Sequence, residues 1–330
     1  MTPAKLLKTL AITLLVGASL AFTMTAATPE ARAQACCTAT AAGDFAVVGR
    51  CHASVVASQL TFESTRGGYD RHGTYQSLSD ATIADAILTL GAGSRLGTRR
   101  FQVYGSMPLR LQYRDLSGID SDTGFDLGDA STGVRFTLVE DPMIGIRSDD
   151  RSTWKPFLDL YLNANLPTGE SPDSAAIDSA NADVTGNGLW QGVAGTRLSK
   201  FVTPRHVVTA SAEYTRSLAR DVDRRTDTVS FRPGDEQSLS VAYMHMPNFR
   251  WSWGLNAGVV RGGDARQDGT AVDNTSLRRT TVGAHITRMI SYPFWEVTLS
   301  LSSDALLDDL SKNVPFTGPA LSLGLQRNFL

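Results

Sequence analysis

Apolar and polar residues alternate along most of the chain with a period of two residues. In KPFLDLYLNANLPTG, the residues Leu158, Leu160 and Leu162 lie on one face of an extended strand. Asp159 and Tyr161 lie on the opposite face, because successive side chains of a strand point to opposite sides. The stretches DLGDASTGVRFTLVE, HVVTASAEYTRSL and PFWEVTLSLSSD repeat this pattern. The alternation predicts an all-β fold whose strands each have one apolar and one polar face.

The predicted strands are long, and there are about twelve of them. They lie near residues 55–63, 84–93, 99–111, 127–139, 156–166, 188–200, 206–218, 237–247, 249–261, 277–290, 294–304 and 319–330. Most span roughly 10 to 13 residues, whereas strands of soluble proteins span about 5 to 6 and a tilted strand that crosses a bilayer needs about 9 to 11. This length favours a transmembrane antiparallel β-barrel, with apolar faces toward lipid and polar faces toward the lumen.

The connections between the predicted strands alternate between long and short. Long polar segments such as RGGYDRHGTYQSLSD and RDVDRRTDTVSFRPGD alternate with short ones such as GSRLG, TPR and SYP. The sizeable exception among the short connections is EDPMIGIRSDDRSTW. Outer-membrane barrels combine an even number of strands with long extracellular loops and short periplasmic turns. Both ends of the barrel sequence are therefore expected on the periplasmic side.

The alternation continues to the carboxyl end of the chain, TGPALSLGLQRNFL. A chain can end inside a sheet without leaving an open edge if its last strand pairs with its first, as in a closed barrel. Phe329 also resembles the aromatic signal by which bacterial outer-membrane proteins are recognised for assembly. The sequence departs from that signal in two ways, because Leu330 follows the aromatic residue and Arg327 interrupts the apolar row.

Aromatic residues lie mostly near the ends of the predicted strands. The residues concerned are Trp154, Trp190, Trp251, Trp253, Trp295, Phe157, Phe201, Phe249, Phe294 and Tyr292. Strands in general favour aromatic residues. The bunching beside short turns, in PNFRWSW and SYPFWE, nevertheless favours the aromatic girdles that membrane barrels place at both interfaces.

The first 35 residues have the features of a secretory signal. Lys5 and Lys8 precede the apolar run LAITLLVGASLAFT, and an Ala-Gln-Ala sequence ending at Ala35 gives the small-residue cleavage pattern. An uncleaved anchor is the alternative, since the run is close to the lower length limit of a spanning helix. The polar, Pro-containing stretch before Ala35 favours cleavage. We divide the chain into a signal peptide (1–35), a short Cys-containing segment (36–54) and an outer-membrane β-barrel (55–330).

All three cysteines, Cys36, Cys37 and Cys51, lie near the predicted mature N-terminus. In an oxidising compartment Cys51 can pair with one of the two adjacent cysteines, and Cys37 with Cys51 is our candidate disulfide. Lipid modification of Cys36 is a weaker alternative, because Ala33 stands where lipoprotein signals usually carry leucine. Three sulfurs without a second pair of ligands at suitable spacing do not predict a metal site.

Charge and motifs exclude several classes of function. Lys and Arg (31) nearly balance Asp and Glu (33), so the chain has no basic field for nucleic acid. The five histidines are scattered, and no nucleophile elbow, His-Glu-x-x-His or phosphate-binding loop occurs. The sequence therefore predicts no enzyme, no metal and no cofactor. A lipid hydrolase stays as a weaker alternative, because a barrel enzyme assembles its site from separate strands.

The polar faces of the strands supply the candidate functional residues. Charges on the lumen side of a barrel tune which solutes pass, whereas an Arg that faces lipid near the bilayer midplane costs roughly 2–4 kcal/mol. The candidate lumen-lining residues are Arg135, Asp159, Tyr161, Asn163, Asn165, Glu213, His285 and Glu296. The alternative is that these groups only hydrogen-bond to one another or to a plug.

Two neighbouring segments, DLGDASTGVRFTL and LYLNANLPTGE, resemble a bacterial outer-membrane family labelled as meta-pathway phenol-degradation proteins and also as transporters. The shared features are a Gly-Asp strand start and, one strand later, an apolar strand that ends in Pro-Thr-Gly. The matching residues are Gly128, Asp129, Pro167, Thr168 and Gly169. The resemblance covers most of the mature chain and implies a β-barrel that passes small, hydrophobic or aromatic compounds. The motif residues have no known chemistry, and we interpret them as a chain bend and a strand-ending turn.

These observations predict a passive channel or facilitator in the outer membrane of a Gram-negative bacterium. Its expected partners are outer-membrane lipid, the barrel-assembly machinery and a small-molecule solute. The sequence does not indicate an oligomeric state. The main alternative is a structural or surface-interaction barrel that acts through long extracellular loops such as ESPDSAAIDSANADVTGNG.

Overall fold

The computed structural model describes residues 45–50, 52–79, 81–116, 121–172, 182–223, 228–248, 250–291, 295–304 and 310–330. The predicted signal peptide, Cys36, Cys37 and Cys51 lie outside these residues, so the cleavage site, the disulfide and the lipid modification stay predictions. The described elements are strands and one short 3₁₀ helix, Arg151–Trp154. No helix in this part of the chain is long and apolar enough to cross a membrane.

Twelve antiparallel strands form one closed barrel. They are β1 (Ser54–Thr65), β2 (Thr82–Arg95), β3 (Phe101–Asp115), β4 (Ala130–Val139), β5 (Phe157–Leu166), β6 (Gln191–Thr203), β7 (His206–Ser217), β8 (Glu236–Asn248), β9 (Trp251–Gly262), β10 (Leu277–Ser291), β11 (Trp295–Ser303) and β12 (Pro319–Phe329). Each strand pairs with its neighbours in chain order, and a short strand, Asp122–Leu127, also pairs with β3. The predicted fold and number of strands are confirmed.

Closure joins the first and last strands along most of their lengths. Ser54 pairs with Phe329, and Glu63 pairs with Ala320. The amide of Ala53 also donates a 2.8 Å hydrogen bond to the carbonyl oxygen of Phe329. The strand β12 therefore has a partner on both edges. This pairing explains why the alternation continues as far as Phe329.

The strands carry their apolar side chains on the outer face and their polar side chains on the inner face, the reverse of a soluble barrel. On the outer face, Leu162 and Leu239 each have 60% of their surface exposed. On the inner face, polar residues such as Gln102, Asp159 and Asn328 are buried. A belt of exposed apolar side chains is favourable only where lipid replaces water, so the outer face is a membrane-facing surface.

The connections differ between the two ends of the barrel. At the end where Ser54 meets Phe329, successive strands are separated by a few residues, and only the connection 140–156 is long. At the other end, the loops form two small sheets. One contains Gly67–Tyr69, Tyr75–Ser77 and Val314–Thr317, and the other contains Arg220–Asp223, Thr228–Arg232, Arg266–Gln267 and Thr270–Ala271. We call these the turn end and the loop end; they correspond to the predicted periplasmic and extracellular sides.

Only some of the described aromatic residues form the expected girdle; Phe249, Tyr292 and Phe294 lie outside the described residues. Trp253 and Trp295 lie on the outer face near the turn end, as predicted. Phe157 and Phe201 instead point inward and are buried, with their ring centroids 6.5 Å apart. Position at a strand end suggested the girdle, but Phe157 has the same parity along β5 as the inward-facing Asp159.

The family-motif residues form a clamp at the loop end. The Asp129 carboxylate accepts hydrogen bonds from the amides of Gly169 (3.1 Å) and Asn187 (2.7 Å). The Thr168 hydroxyl donates to the carbonyl oxygen of Gly128 (2.8 Å). These bonds tie the start of β4 to the connection between β5 and β6.

Replacing Asp129 by Ala is expected to release this connection, because two amides lose their acceptor at a cost of about 1 kcal/mol for each hydrogen bond. Proteinase K should then cut between residues 170 and 190 of the refolded protein several-fold faster. Asp122→Ala is the control, since the Asp122 carboxylate accepts a hydrogen bond from the adjacent Thr123 amide (2.7 Å). Equal cleavage rates in the two variants would contradict the clamp.

Candidate functional site in the barrel lumen

Five of the predicted lumen-lining residues lie on one wall of the barrel. Arg135 is on β4, Asp159, Tyr161 and Asn163 are on β5, and Glu213 is on β7. The register places Arg135 directly opposite Tyr161. Because residues at alternate positions share a face of a strand, the three β5 residues point to the same side, away from the exposed leucines.

Hydrogen bonds and ring contacts join this wall into a network. The Tyr161 hydroxyl donates to the Glu213 carboxylate (2.6 Å), and the Tyr104 hydroxyl of β3 donates to the Asn163 side-chain oxygen (2.5 Å). The guanidinium carbon of Arg135 lies 5.4 Å from the Tyr161 ring centroid and 5.9 Å from that of Tyr104. Such a network holds its members, which come from four strands, in fixed positions.

The other three candidates lie elsewhere on the inner face. The Asn165 side-chain amide donates to the side-chain oxygen of Gln191 (3.1 Å) nearer the loop end. His285 on β10 and Glu296 on β11 stand on the far side of the barrel. The buried Glu296 carboxylate accepts a hydrogen bond from the side-chain amide of Asn328 (3.1 Å). The eight candidates therefore do not form a single cluster.

The described residues directly before β1 lie inside the barrel. We call residues 45–50, 52 and 53 the N-terminal segment. Ala46 and Val48 are buried, and the amide of Val48 donates to the side-chain oxygen of Gln102 on the inner face of β3 (3.2 Å). The described part of the predicted Cys-containing segment thus occupies the lumen near the turn end.

Arg50 fastens the N-terminal segment to the wall. Its guanidinium donates to both oxygens of the Asp159 carboxylate (2.6 and 3.1 Å) and to the Thr137 hydroxyl (2.8 Å). The Thr137 hydroxyl donates in turn to Asp159 (2.7 Å), and the Arg50 guanidinium carbon lies 4.1 Å from the Phe157 ring centroid. Asp159 is fully buried, and removing one partner of a buried ion pair costs about 3–5 kcal/mol. Arg50 is therefore the main anchor of the segment.

A second arginine holds the same segment from β2. Arg95 donates from Nε to the carbonyl oxygen of His52 (2.9 Å) and from Nη2 to that of Gly49 (3.0 Å). Hydrogen bonds from an ionised donor are stronger than those between neutral groups. The segment is thus bound by charged side chains on two sides.

An apolar cluster lies at the turn end of the lumen. It comprises inward-facing residues of β5 to β8, namely Phe157, Phe201, Val207, Met244 and Met246. Met143, from the connection 140–156, packs against this cluster and against Met289 of β10. The Asp141 carboxylate anchors that connection by accepting hydrogen bonds from the Lys200 ammonium (2.7 Å) and the Phe201 amide (2.9 Å).

A cavity of about 30 Å³ lies beside the Arg50 anchor and the apolar cluster. Its lining includes Arg50, Phe157, Met244 and His285. Neither ring nitrogen of the buried His285 has a hydrogen-bond partner among the described residues. The cavity has room for roughly one or two water molecules. This volume is too small for an organic solute while the N-terminal segment is in place.

The connection between β5 and β6 narrows the loop end. Ala182 and Thr185 of this connection are buried. Gln112, on the inner face of β3, donates from its side-chain amide to the carbonyl oxygen of Val184 (2.8 Å). The lumen is thus constricted near both ends, by this connection and by the N-terminal segment.

Of the residues that hold the N-terminal segment, the alternation identified Asp159 as lumen-lining but did not single out Thr137 or Gln102. Thr137 had a usable signal, since it has the same parity as Arg135 along β4. Gln102 likewise has the same parity as Tyr104 along β3. The sequence around Arg50 gave no such signal, because Arg50 precedes the first alternating segment.

The comparisons with known proteins identify the fold. No protein-family model and no curated protein matches the chain. The chain is similar to the COG4313 outer membrane channel from Pseudomonas putida F1, with a TM-score of 0.67 and 16% identity over 88% of this chain and 100% of that one. The NanC porin has a TM-score of 0.45 at 8% identity, covering 83% of this chain and 99% of its own. The first likeness and the apolar outer face together show that the protein is an outer-membrane β-barrel.

Proposed function

We propose that the protein is a channel for the passive passage of small hydrophobic or aromatic molecules. The observation that supports this function is that the N-terminal segment, held by Arg50, occupies the turn end of the lumen of a closed barrel. Ala53 is joined to the barrel by backbone hydrogen bonds to Phe329 and Arg95, whereas side-chain contacts hold residues 45–50. These residues can therefore leave the lumen while the backbone ladder of the barrel stays intact. The turn end of the barrel then contains a wider pathway whose wall is already folded.

The lining of this pathway favours a hydrophobic cargo. In the middle of the wall the polar groups are paired with one another, as Tyr161 is with Glu213. At the turn end a solute meets Phe201, Met244 and Met246. Methionine side chains adapt their shape to varied apolar ligands, and aromatic rings contribute large contact areas. The family resemblance of the sequence implies the same class of solute.

Two other functions have less support. A hydrolase needs a nucleophile beside a base, but His206 Nδ1 bonds to the Tyr243 hydroxyl (2.6 Å), and His285 has no hydrogen-bond partner among the described residues. In the same residues, no group of three or more His, Cys, Asp or Glu is arranged to hold a metal ion. The two sheets at the loop end leave surface interaction as the second candidate, which an electrically silent barrel would favour.

Replacing Arg50 by Ala is expected to open the lumen. The change removes the bidentate contact with Asp159 and leaves that carboxylate buried without its cation, so the N-terminal segment loses its anchor. Single-channel recording of the refolded protein in planar bilayers should show larger or longer openings than in the wild type. Arg100→Ala is the control, because Arg100 forms an exposed ion pair with Glu140 (3.3 Å) worth about 0–1 kcal/mol. Wild-type conductance in Arg50→Ala would argue against the N-terminal segment as the closing element.

A simple aromatic solute such as benzyl alcohol should reduce the ion current through the Arg50→Ala channel. Adding Met244→Ala should raise the half-blocking concentration about fivefold, because the solute loses an apolar contact of about 1 kcal/mol. Val241→Ala serves as the control, since Val241 lies on the same strand but faces outward with 59% of its surface exposed. Equal half-blocking concentrations in the two variants would mean that the solute does not contact the apolar cluster.

Replacing both Glu213 and Glu296 by Gln should raise the relative passage of anions through the opened channel. Both side chains lie on the inner face, and a negative charge at a pore wall favours cations. Gln keeps an acceptor for the Tyr161 hydroxyl, so the wall should stay folded. The measurement is the reversal potential in a potassium chloride gradient, with the exposed Glu140→Gln as the control. An unchanged reversal potential would remove both residues from the pathway.

A further inference from the structure

One arginine stands in the membrane-facing row of the last strand. Arg327 lies on β12 between Leu325 and Phe329, and all three have the same parity. Gln326 and Asn328 face the lumen. There the Gln326 side-chain amide donates a hydrogen bond to the side-chain oxygen of Asn328 (2.8 Å). Arg327 is therefore exposed on the outer face, and the channel function leaves it unexplained.

Two aromatic rings surround the Arg327 guanidinium. Its central carbon lies 5.4 Å from the Trp295 ring centroid and 5.0 Å from that of Phe329. Trp295 is also the register partner of Arg327 on β11. A guanidinium is attracted to ring faces and still presents its N–H groups at its edge.

A second pair of the same kind lies two strands away. The guanidinium carbon of Arg288 on β10 lies 5.0 Å from the ring centroid of Trp251, its register partner on β9. Arg288 pairs with Val297, two residues along β11 from Trp295. The two arginines are thus offset by roughly 7 Å along the strands and by roughly 10 Å across them.

The position of these arginines determines what they meet. A guanidinium on the lipid face is costly at the bilayer midplane and tolerated at the interface. Both arginines lie near the turn end, where aromatic rings form the girdle. The headgroup level of a phospholipid leaflet contains phosphates, which guanidinium groups bind through two parallel hydrogen bonds.

We propose that Arg327, with Trp295 and Phe329, forms a binding site for the phosphate of a phospholipid in the periplasmic leaflet, and that Arg288, with Trp251, holds the phosphate of a neighbouring phospholipid in the same way. Each guanidinium edge holds the oxygens of one phosphate, and the rings contact the glycerol and upper acyl region. Both sites lie on the outer face and are independent of the solute pathway in the lumen.

Native mass spectrometry of the refolded mature protein in detergent tests these sites. The probes are phosphatidylglycerol and monogalactosyldiacylglycerol, which lacks a phosphate. The wild type should bind phosphatidylglycerol more tightly, and Arg288→Gln with Arg327→Gln should weaken that binding about tenfold. Arg261→Gln should bind as the wild type does, because Arg261 is exposed on β9 at the loop end.

Three results would overturn the proposal. The first is equal affinity of the double variant and the wild type for phosphatidylglycerol. The second is equal binding of the two lipids by the wild type, a result that decides the question even if the double variant does not fold. The third is full displacement of phosphatidylglycerol by an equal concentration of inorganic phosphate, which would make free phosphate the ligand. A heat-dependent mobility shift in gel electrophoresis establishes which variants are folded.

Discussion

The pairing of backbone polar groups is the constraint on which the rest of this structure depends. In hydrocarbon an amide or carbonyl group without a partner costs several kcal/mol, so each strand needs a partner on both edges. β12 meets this requirement by pairing with β1, from Ser54 with Phe329 to Glu63 with Ala320. Closure then separates the two faces of each strand. Leucines face the membrane, and polar side chains such as Asp159 are enclosed.

Enclosure creates a second requirement, because polar groups removed from water need partners inside the barrel. Many polar groups of the wall form hydrogen bonds with one another, as the bond between Tyr161 and Glu213 shows. Asp159 accepts one hydrogen bond from the wall, through Thr137, and its cationic partner comes from the N-terminal segment. When that segment leaves, Asp159 and Arg50 both regain water. Opening should therefore cost less than the deletion of either partner alone, which makes a buried ion pair a suitable reversible anchor.

The alternation predicted the barrel because its signal is local. It identified twelve strands and the inner-face positions of residues such as Asp159 and Glu213. It could not predict contacts made by chain segments without periodicity, such as that of Arg50 with Asp159 across the lumen. Strand-end position was a poorer guide than parity, which explains the inward placement of Phe157. The Asp129 clamp joins residues 40 positions apart, so the motif indicated two turns but not their contact.

The alternation did not predict the two small sheets at the loop end, for a related reason. Their strands are only two to five residues long, too short for a periodic signal. Their pairings also join distant loops, as when Val314 pairs with Tyr69. Loop length predicted the location of these segments but not their structure, because the structure depends on which loops closure brings together.

Arg327 links closure to the position of the barrel in the membrane. It stands on the strand that closes the barrel, one pleat from the exposed Leu325. An arginine at the position of Leu325 would lie roughly 7 Å farther along the tilted strand and closer to the midplane, where the cost rises toward roughly 2–4 kcal/mol. Sinking the barrel would bury Arg327, and raising it would bring Leu325 into water. The residues that complete the barrel therefore also set the depth at which the turn end of the lumen meets the membrane surface.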